Sequence, residues 1–298
     1  MANNNIILIP STTVDMPIGS VFNNFFVISS ATETLDNNVV WDFSNVFHIH
    51  PILAAALALY RYSCGKSIEI INTQPKIAEY LESILFLNIQ DLSSNSIELD
   101  LNAYKNLHYT PLVYIKANDD ATQRKIQDMI IQQSDAKGIS TAMDYILGEL
   151  ICNIEQHAES DKAFIFSQYV EQENAIYLCI ADNGIGIYSS YVKAQKFLSE
   201  IGDNDAEAVK IANEGFSTKN RPEAENRGFG ISTSKSMLVN GLGGSFFLMS
   251  GSALQMSIHG VSDSFIELPA NVEWQGTMIF LKIPRFAPKG FIYTDYLE

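Results

Sequence analysis

Hydrophobic periodicity changes character about a third of the way along the chain, and that change limits the folds open to it. Up to about residue 101, short β-branched runs at 6–9, 39–41 and 68–71 alternate with helical stretches at 52–63 and 76–86, the pattern of a small α/β unit. Beyond it the order is different. A strand at 111–115 leads into helices at about 121–133 and 140–158, then a hairpin whose strands, 163–166 and 175–180, are joined through the polar Glu171-Gln-Glu-Asn turn. A long polar, partly helical segment at about 188–226 precedes the glycine-rich Arg227-Gly-Phe-Gly, and a helix to about residue 240 and three or four strands to Pro284 follow. Helices then strands, without regular βαβ alternation, predict an α+β unit whose sheet carries helices on one face. Between Asp91 and Tyr109 the chain turns polar, with Ser93, Ser94, Asn95 and Ser96 clustered, so a boundary is expected near residue 105. An α/β domain over 1–105 and an α+β domain over 106–298 result.

A length of 298 residues suffices for two such domains, each with its own core. Acidic residues exceed basic ones by 34 to 19, a net charge of −15 that disfavours nucleic acid and anionic membrane as partners. It excludes little about a small nucleotide, which is held by a few oriented groups and its metal. Cys64, Cys152 and Cys179 are odd in number and set in apolar surroundings, and read as buried reduced thiols. The first residues lack the positive start of a secretory signal, and the apolar run at 52–60 is far short of the ~20 residues of a membrane span, so the expected location is the cytoplasm.

Four short patterns carry chemistry. Glu149, Asn153 and His157 share one helix face while Ile146, Leu150 and Ile154 are free to pack on a sheet; alone, such a stripe reads as a solvated helix face. In Ile180-Ala-Asp-Asn-Gly-Ile-Gly an apolar strand ends in Asp182 and two glycines, which suits either a capped tight turn or a carboxylate presented to an amino group such as adenine N6. Gly215-Phe-Ser-Thr-Lys219, followed by Arg227-Gly-Phe-Gly and a helix, leaves amide donors free to cradle polyphosphate. Gly276-Thr277 opens the last apolar strand, where a hydroxyl can support Asp182 through water.

Taken in order, Glu149-x-x-x-Asn153-x-x-x-His157, Asp182-x-Gly184-x-Gly186, Arg227-Gly228-x-Gly230 and Gly276-Thr277 resemble the N, G1, G2 and G3 boxes of the GHKL superfamily. That superfamily includes type II topoisomerases, the large heat-shock chaperone, mismatch-repair ATPases, histidine kinases and anti-sigma-factor serine kinases. The resemblance spans about residues 109–286 and implies a Bergerat-fold sandwich, a mixed sheet covered by helices on one face, that binds ATP and magnesium. By the resemblance, Asn153 coordinates Mg²⁺, Asp182 pairs with adenine, and Gly184 and Gly186 shape the adenine pocket. Residues 188–226 would form an ATP lid, with Gly228 and Gly230 beside the phosphates and Thr277 behind Asp182. Lys219 and Arg227 read as phosphate contacts or as solvated lid charges. Glu149 stands where the hydrolases and serine kinases of the family keep a general base, and His157 is structural.

The run Val39-Val-Trp-Asp-Phe-Ser-Asn-Val-Phe-His-Ile-His, with Pro51 and the helix after it, resembles a STAS domain over about residues 5–101. In antagonist STAS domains this turn carries an Asp and a phosphorylatable serine; here it reads His48-Ile-His-Pro-Ile-Leu, without a hydroxyl, which argues against regulation there. His48 and His50 read as phosphate or metal ligands, or as plain surface or packing residues.

Together the resemblances imply a Mg-ATP-binding regulatory switch, ATP-hydrolysing or ATP-gated, with an adenine nucleotide and a further protein as partners and a homodimer as one oligomeric option. The alternatives are a serine/threonine kinase of the anti-sigma-factor type acting on a STAS-like partner, and a non-catalytic nucleotide-sensing interaction module. An autophosphorylating histidine kinase is disfavoured, because no His sits on a two-helix dimerisation hairpin ahead of the ATP domain.

Overall fold

The computed structural model describes residues 5–88, 100–116, 119–134, 136–157, 162–218, 230–269 and 271–297. Strands β1 (Ile6–Leu8), β2 (Asn38–Asp42) and β3 (Ser67–Ile71) lie side by side and parallel. Parallel neighbours need a crossover, supplied here by α1 (Ile18–Glu33) and α2 (Pro51–Ser63); α3 (Pro75–Ser83) follows the last strand. The sequence reading has no helix at α1, whose IGSVFNNFFVISSATE is poor in strong helix formers. Burial decides its state: Val21, Phe22, Phe25 and Ile28 are all sequestered on one side. In α2 every residue from Pro51 to Tyr60 is buried, as expected of a helix apolar all round.

The remaining elements are β4 (Val113–Lys116), α4 (Asp120–Gln132), α5 (Ala136–His157), β5 (Lys162–Val170), β6 (Ala175–Asp182), α6 (Gly186–Ala194), α7 (Leu198–Ile201), α8 (Asp205–Asn213), α9 (Gly230–Ser236), β7 (Ser245–Gly251), β8 (Ala253–Ile258), β9 (Ser264–Glu267) and β10 (Trp274–Pro284). Their strands form a seven-stranded sheet in the order β4-β5-β6-β10-β7-β8-β9. Every pairing in it is antiparallel, so the mixed sheet expected from the family resemblance is corrected. The reason lies in β10. It inserts between β6 and β7 and runs against both, so two strands of common direction never become hydrogen-bonded neighbours.

The helices of this second unit keep to one face of its sheet, as expected, and the amino-terminal unit covers the other. One face of the large sheet, with Ile165, Leu178, Ile180, Leu248 and Ile279, packs with Ile146, Leu150 and Ile154 of α5. The alternate residues Phe164, Phe166, Tyr177, Phe247 and Phe280 point the other way, into one core with α1 and α2. Phe22 lies 5.3 Å from both Phe247 and Phe280, and Tyr62 lies 4.9 Å from Phe164, ring centre to ring centre. Thus α2 is held between its own small sheet and the large one, which explains why all eight residues of β6 are buried. Much of the expected connection at 91–109 falls outside the described residues, and the two units on either side of it share this core. Among the described residues no helix is long and apolar enough to cross a membrane. The three cysteines are free thiols, but only Cys179 is fully buried; Cys64 and Cys152 are partly exposed, a correction to the expectation for all three.

Candidate functional site

Asp182 ends β6, and the pairing of Met278 with Ala181 brings Thr277 of β10 beside it. The alternation that sends Ile180 toward α5 sends Asp182 to the same side of the sheet. The residue is only 2% exposed. Burial pushes the carboxyl from its ordinary 3.8 up to about 6, while backbone N–H groups of Gly184, at 2.8 Å, and Thr277 act to lower it. Thr277 therefore supports the carboxylate through its amide N–H, a contact that the sequence reading assigned to its hydroxyl.

Two glycines make room for this arrangement. Gly276, at φ +98°, lies so close to Asp182 that a Cβ would stand 2.6 Å from its Oδ1. At Gly186, φ +73°, a Cβ would meet the Ser250 hydroxyl at 3.1 Å and the Gly276 carbonyl at 3.2 Å. Ser250 joins the two turns: its Oγ donates to the Gly276 carbonyl at 2.8 Å and accepts the Ile187 N–H at 2.9 Å. Trp274 adds an indole N–H donated to the Asp182 carbonyl at 2.9 Å. Sequence reasoning missed both residues. A serine before Gly251, ending the apolar run Phe246–Met249, was a usable signal for Ser250; Trp274 had none.

The helix opposite contributes the second half. With Ile146, Leu150 and Ile154 of α5 buried against the sheet, Glu149 and Asn153, one turn apart, line a cavity with Asp182. Asn153 Nδ2 is buried and has no hydrogen-bond partner among the described residues. Gly230, the first residue of α9, is wedged against this pair: a Cβ there would collide with the Glu149 carboxylate and reach 3.6 Å from Asn153 Nδ2. The cavity, about 110 Å³, is lined by Glu149, Asn153, Asp182, Gly186, Gly230 and Thr277, with Ile187, Tyr191, Phe216 and Ile279 as apolar wall. Six predicted site residues thus converge, and Gly184 joins them through its N–H to Asp182. Lys219, Arg227 and Gly228 lie outside the described residues, as does the side chain of His157 at the end of α5.

The segment 188–218 closes one side. Ser190 and Thr218 hydroxyls are 3.1 Å apart, and the Tyr191 hydroxyl donates to the Phe216 carbonyl. Helix α8 is fastened to the sheet at both ends. The Asp205 carboxylate accepts from the N–H and hydroxyl of Ser252, each at 2.9 Å, and the buried side chains of Asn213 and Gln255 exchange two hydrogen bonds of 2.8 and 2.9 Å.

Chemically, one end of the cavity offers a sunken acceptor to an N–H group on a flat ligand, and the other an amide beside a carboxylate. Among the described residues no three His, Cys, Asp or Glu side chains gather to hold a metal, so any cation here would rest on few protein ligands. Neither a scan against protein-family models nor a search of curated proteins finds a match to this chain.

Proposed function

We propose that the cavity binds an adenine nucleotide with magnesium, and that the chain is a GHKL protein of Bergerat fold acting as an ATP-hydrolysing or ATP-gated regulatory switch, with a STAS-like amino-terminal unit. One observation carries the reading: Asp182 at a strand end and Asn153 on a facing helix line the same cavity, one an almost fully buried acceptor, the other an amide whose nitrogen has no partner among the described residues. Buried polar groups rarely go unpaired, so the orphan speaks for a polar ligand. The nitrogen and oxygen of an Asn amide exchange places by a half-turn, and the oxygen suits a hard cation that keeps most of its ligands as phosphate and water. Gly230 fits the same reading, since the space a side chain would fill lies beside Glu149 and Asn153.

In this reading Asp182 accepts a hydrogen bond from the adenine amino group, Ile187 and Ile279 flank the ring, and Glu149 orients a water. Bound Mg-ATP supplies the phosphoryl group that is released or sensed. The His48–Pro51 turn meets the opposite face of the sheet, where the His50 ring stands 4.7 Å from that of Tyr177. The protein's own STAS-like turn is therefore no substrate for its cavity, which favours hydrolysis or gating over phosphorylation in cis.

Calorimetry with Mg-ATP on the wild type and Asp182→Ala, run beside assays of free phosphate and protein-bound phosphate, tests this. Heat in the wild type alone, with free phosphate or no turnover, is expected. No heat in either protein overturns nucleotide binding, and labelled protein instead of free phosphate would replace the switch by a kinase.

A further inference from the structure

A second cavity, of about 420 Å³, opens where the amino-terminal unit meets the large sheet. Its lining draws on five chain segments: His48, His50 and Pro51 at the start of α2, Val14, His108, the end of β5 with Gln168 and Tyr169, and Arg285 after β10. Donors dominate it. His50 Nδ1 accepts the Ile52 N–H at 3.2 Å, which puts the ring proton of the neutral imidazole on Nε2; that atom is buried without a partner among the described residues. Arg285 stacks on Tyr169, 4.7 Å from guanidinium to ring centre, and donates to its hydroxyl at 2.9 Å, while its Nε is buried with no acceptor among the described residues. Gln168 spends its amide oxygen on the Tyr80 hydroxyl at 2.7 Å, leaving its NH₂ side as a donor.

The acidic groups nearby do not answer these donors. Glu173 is held by Lys282 and by the Tyr177 hydroxyl, and Glu171, which also lines the cavity, is exposed to solvent. Two residues of one cavity wall, each with a buried donor unpaired among the described residues, form an arrangement that costs stability unless something accepts from them. Donors that converge from separate segments suit a tetrahedral phosphate, whose oxygens point in several directions, better than a planar carboxylate.

We infer that this cavity is an anion site for a phosphate group, free or as a phosphomonoester, gripped by Arg285 and by the imidazoles of His50, His48 and His108. The site lies at the seam between the two units and is separate from the cavity of Asp182, so it stands or falls independently of the nucleotide reading.

The test is histidine-ring NMR on the full chain, titrated with inorganic phosphate at constant ionic strength, with sodium chloride as control. Saturable shifts of the His48, His50 and His108 signals are expected, weakened about 10- to 100-fold in Arg285→Gln and partly recovered in Arg285→Lys. Should the arginine variants not fold, the wild-type titration decides alone, because phosphate in the Asp182 cavity would leave these three rings undisturbed. Absent shifts, or the same shifts with chloride, overturn the proposal.

Discussion

Gly276 touches Asp182 so closely that no other residue fits between them: its φ of +98° and the missing Cβ are both used. Gly276→Ala should cost about 2–3 kcal/mol of stability and abolish nucleotide binding, because the methyl group must push either the Asp182 backbone or its carboxylate aside. Denaturant unfolding and calorimetry on one preparation measure both. An alanine variant of native stability and affinity would show that the turn is not tight.

The buried carboxyl makes a signed prediction. With a folded pKa of about 6 against an ordinary 3.8, Asp182 holds its proton more tightly in the native state. Its contribution to stability is fully present below pH 3.8 and is lost as pH rises through about 6. At neutral pH the ionised group weakens the empty fold by roughly 2–3 kcal/mol. Asp182→Asn should recover most of that at pH 7 and little of it at acid pH, while nucleotide affinity drops about tenfold or more.

Asn153 and Glu149 should separate in assay. If the amide holds the cation, Asn153→Ala leaves the empty protein within about 1 kcal/mol of wild-type stability, since the nitrogen it removes has no partner among the described residues, yet removes the magnesium-dependent part of ATP affinity. Glu149→Gln should retain binding and lower any phosphate release by about 100-fold or more. Equal effects of both variants on affinity would argue against this division.

At the other face, His50 responds to acid in the opposite sense to Asp182. Burial, helped by His48, lowers its pKa from 6.5 to about 4. Its contribution is intact above pH 6.5 and is lost as pH falls toward 4, by roughly 3 kcal/mol in all. His50→Asn, which keeps a capping side chain on α2, should flatten this loss. Comparing the two in an Asp182→Asn background removes the opposing drift, and a wild-type curve no steeper than that of the variant would show His50 to be solvated.

Reading from sequence succeeded where one residue type had one reason to stand in its place. The stripe at 146–154 on α5 and the strand ending in Asp182 follow from helical and alternating spacing, and the structure brings them to one cavity. What escaped depends on contacts far along the chain. The sequence of α1 is indifferent to helix and becomes one because Phe22 meets Phe247 and Phe280, more than two hundred residues later. The placement of β10 between β6 and β7 leaves no local trace, since a central strand is apolar whichever neighbours it has. Likewise β6 reads as continuously apolar, and that pattern alone does not say what covers each side. Ser250 works through a carbonyl and an amide contributed by two other segments, an alignment that only folding creates.

The aromatic floor beneath α1 and α2 sets a rule for anyone who would dissect this protein. A fragment beginning near residue 106 would bare Phe164, Phe166, Phe247 and Phe280 on a flat β surface, and such surfaces stick to one another. Expressed alone, that fragment should sediment as aggregates while the intact chain stays dispersed, so the amino-terminal unit serves the other as a built-in chaperone of its greasy side.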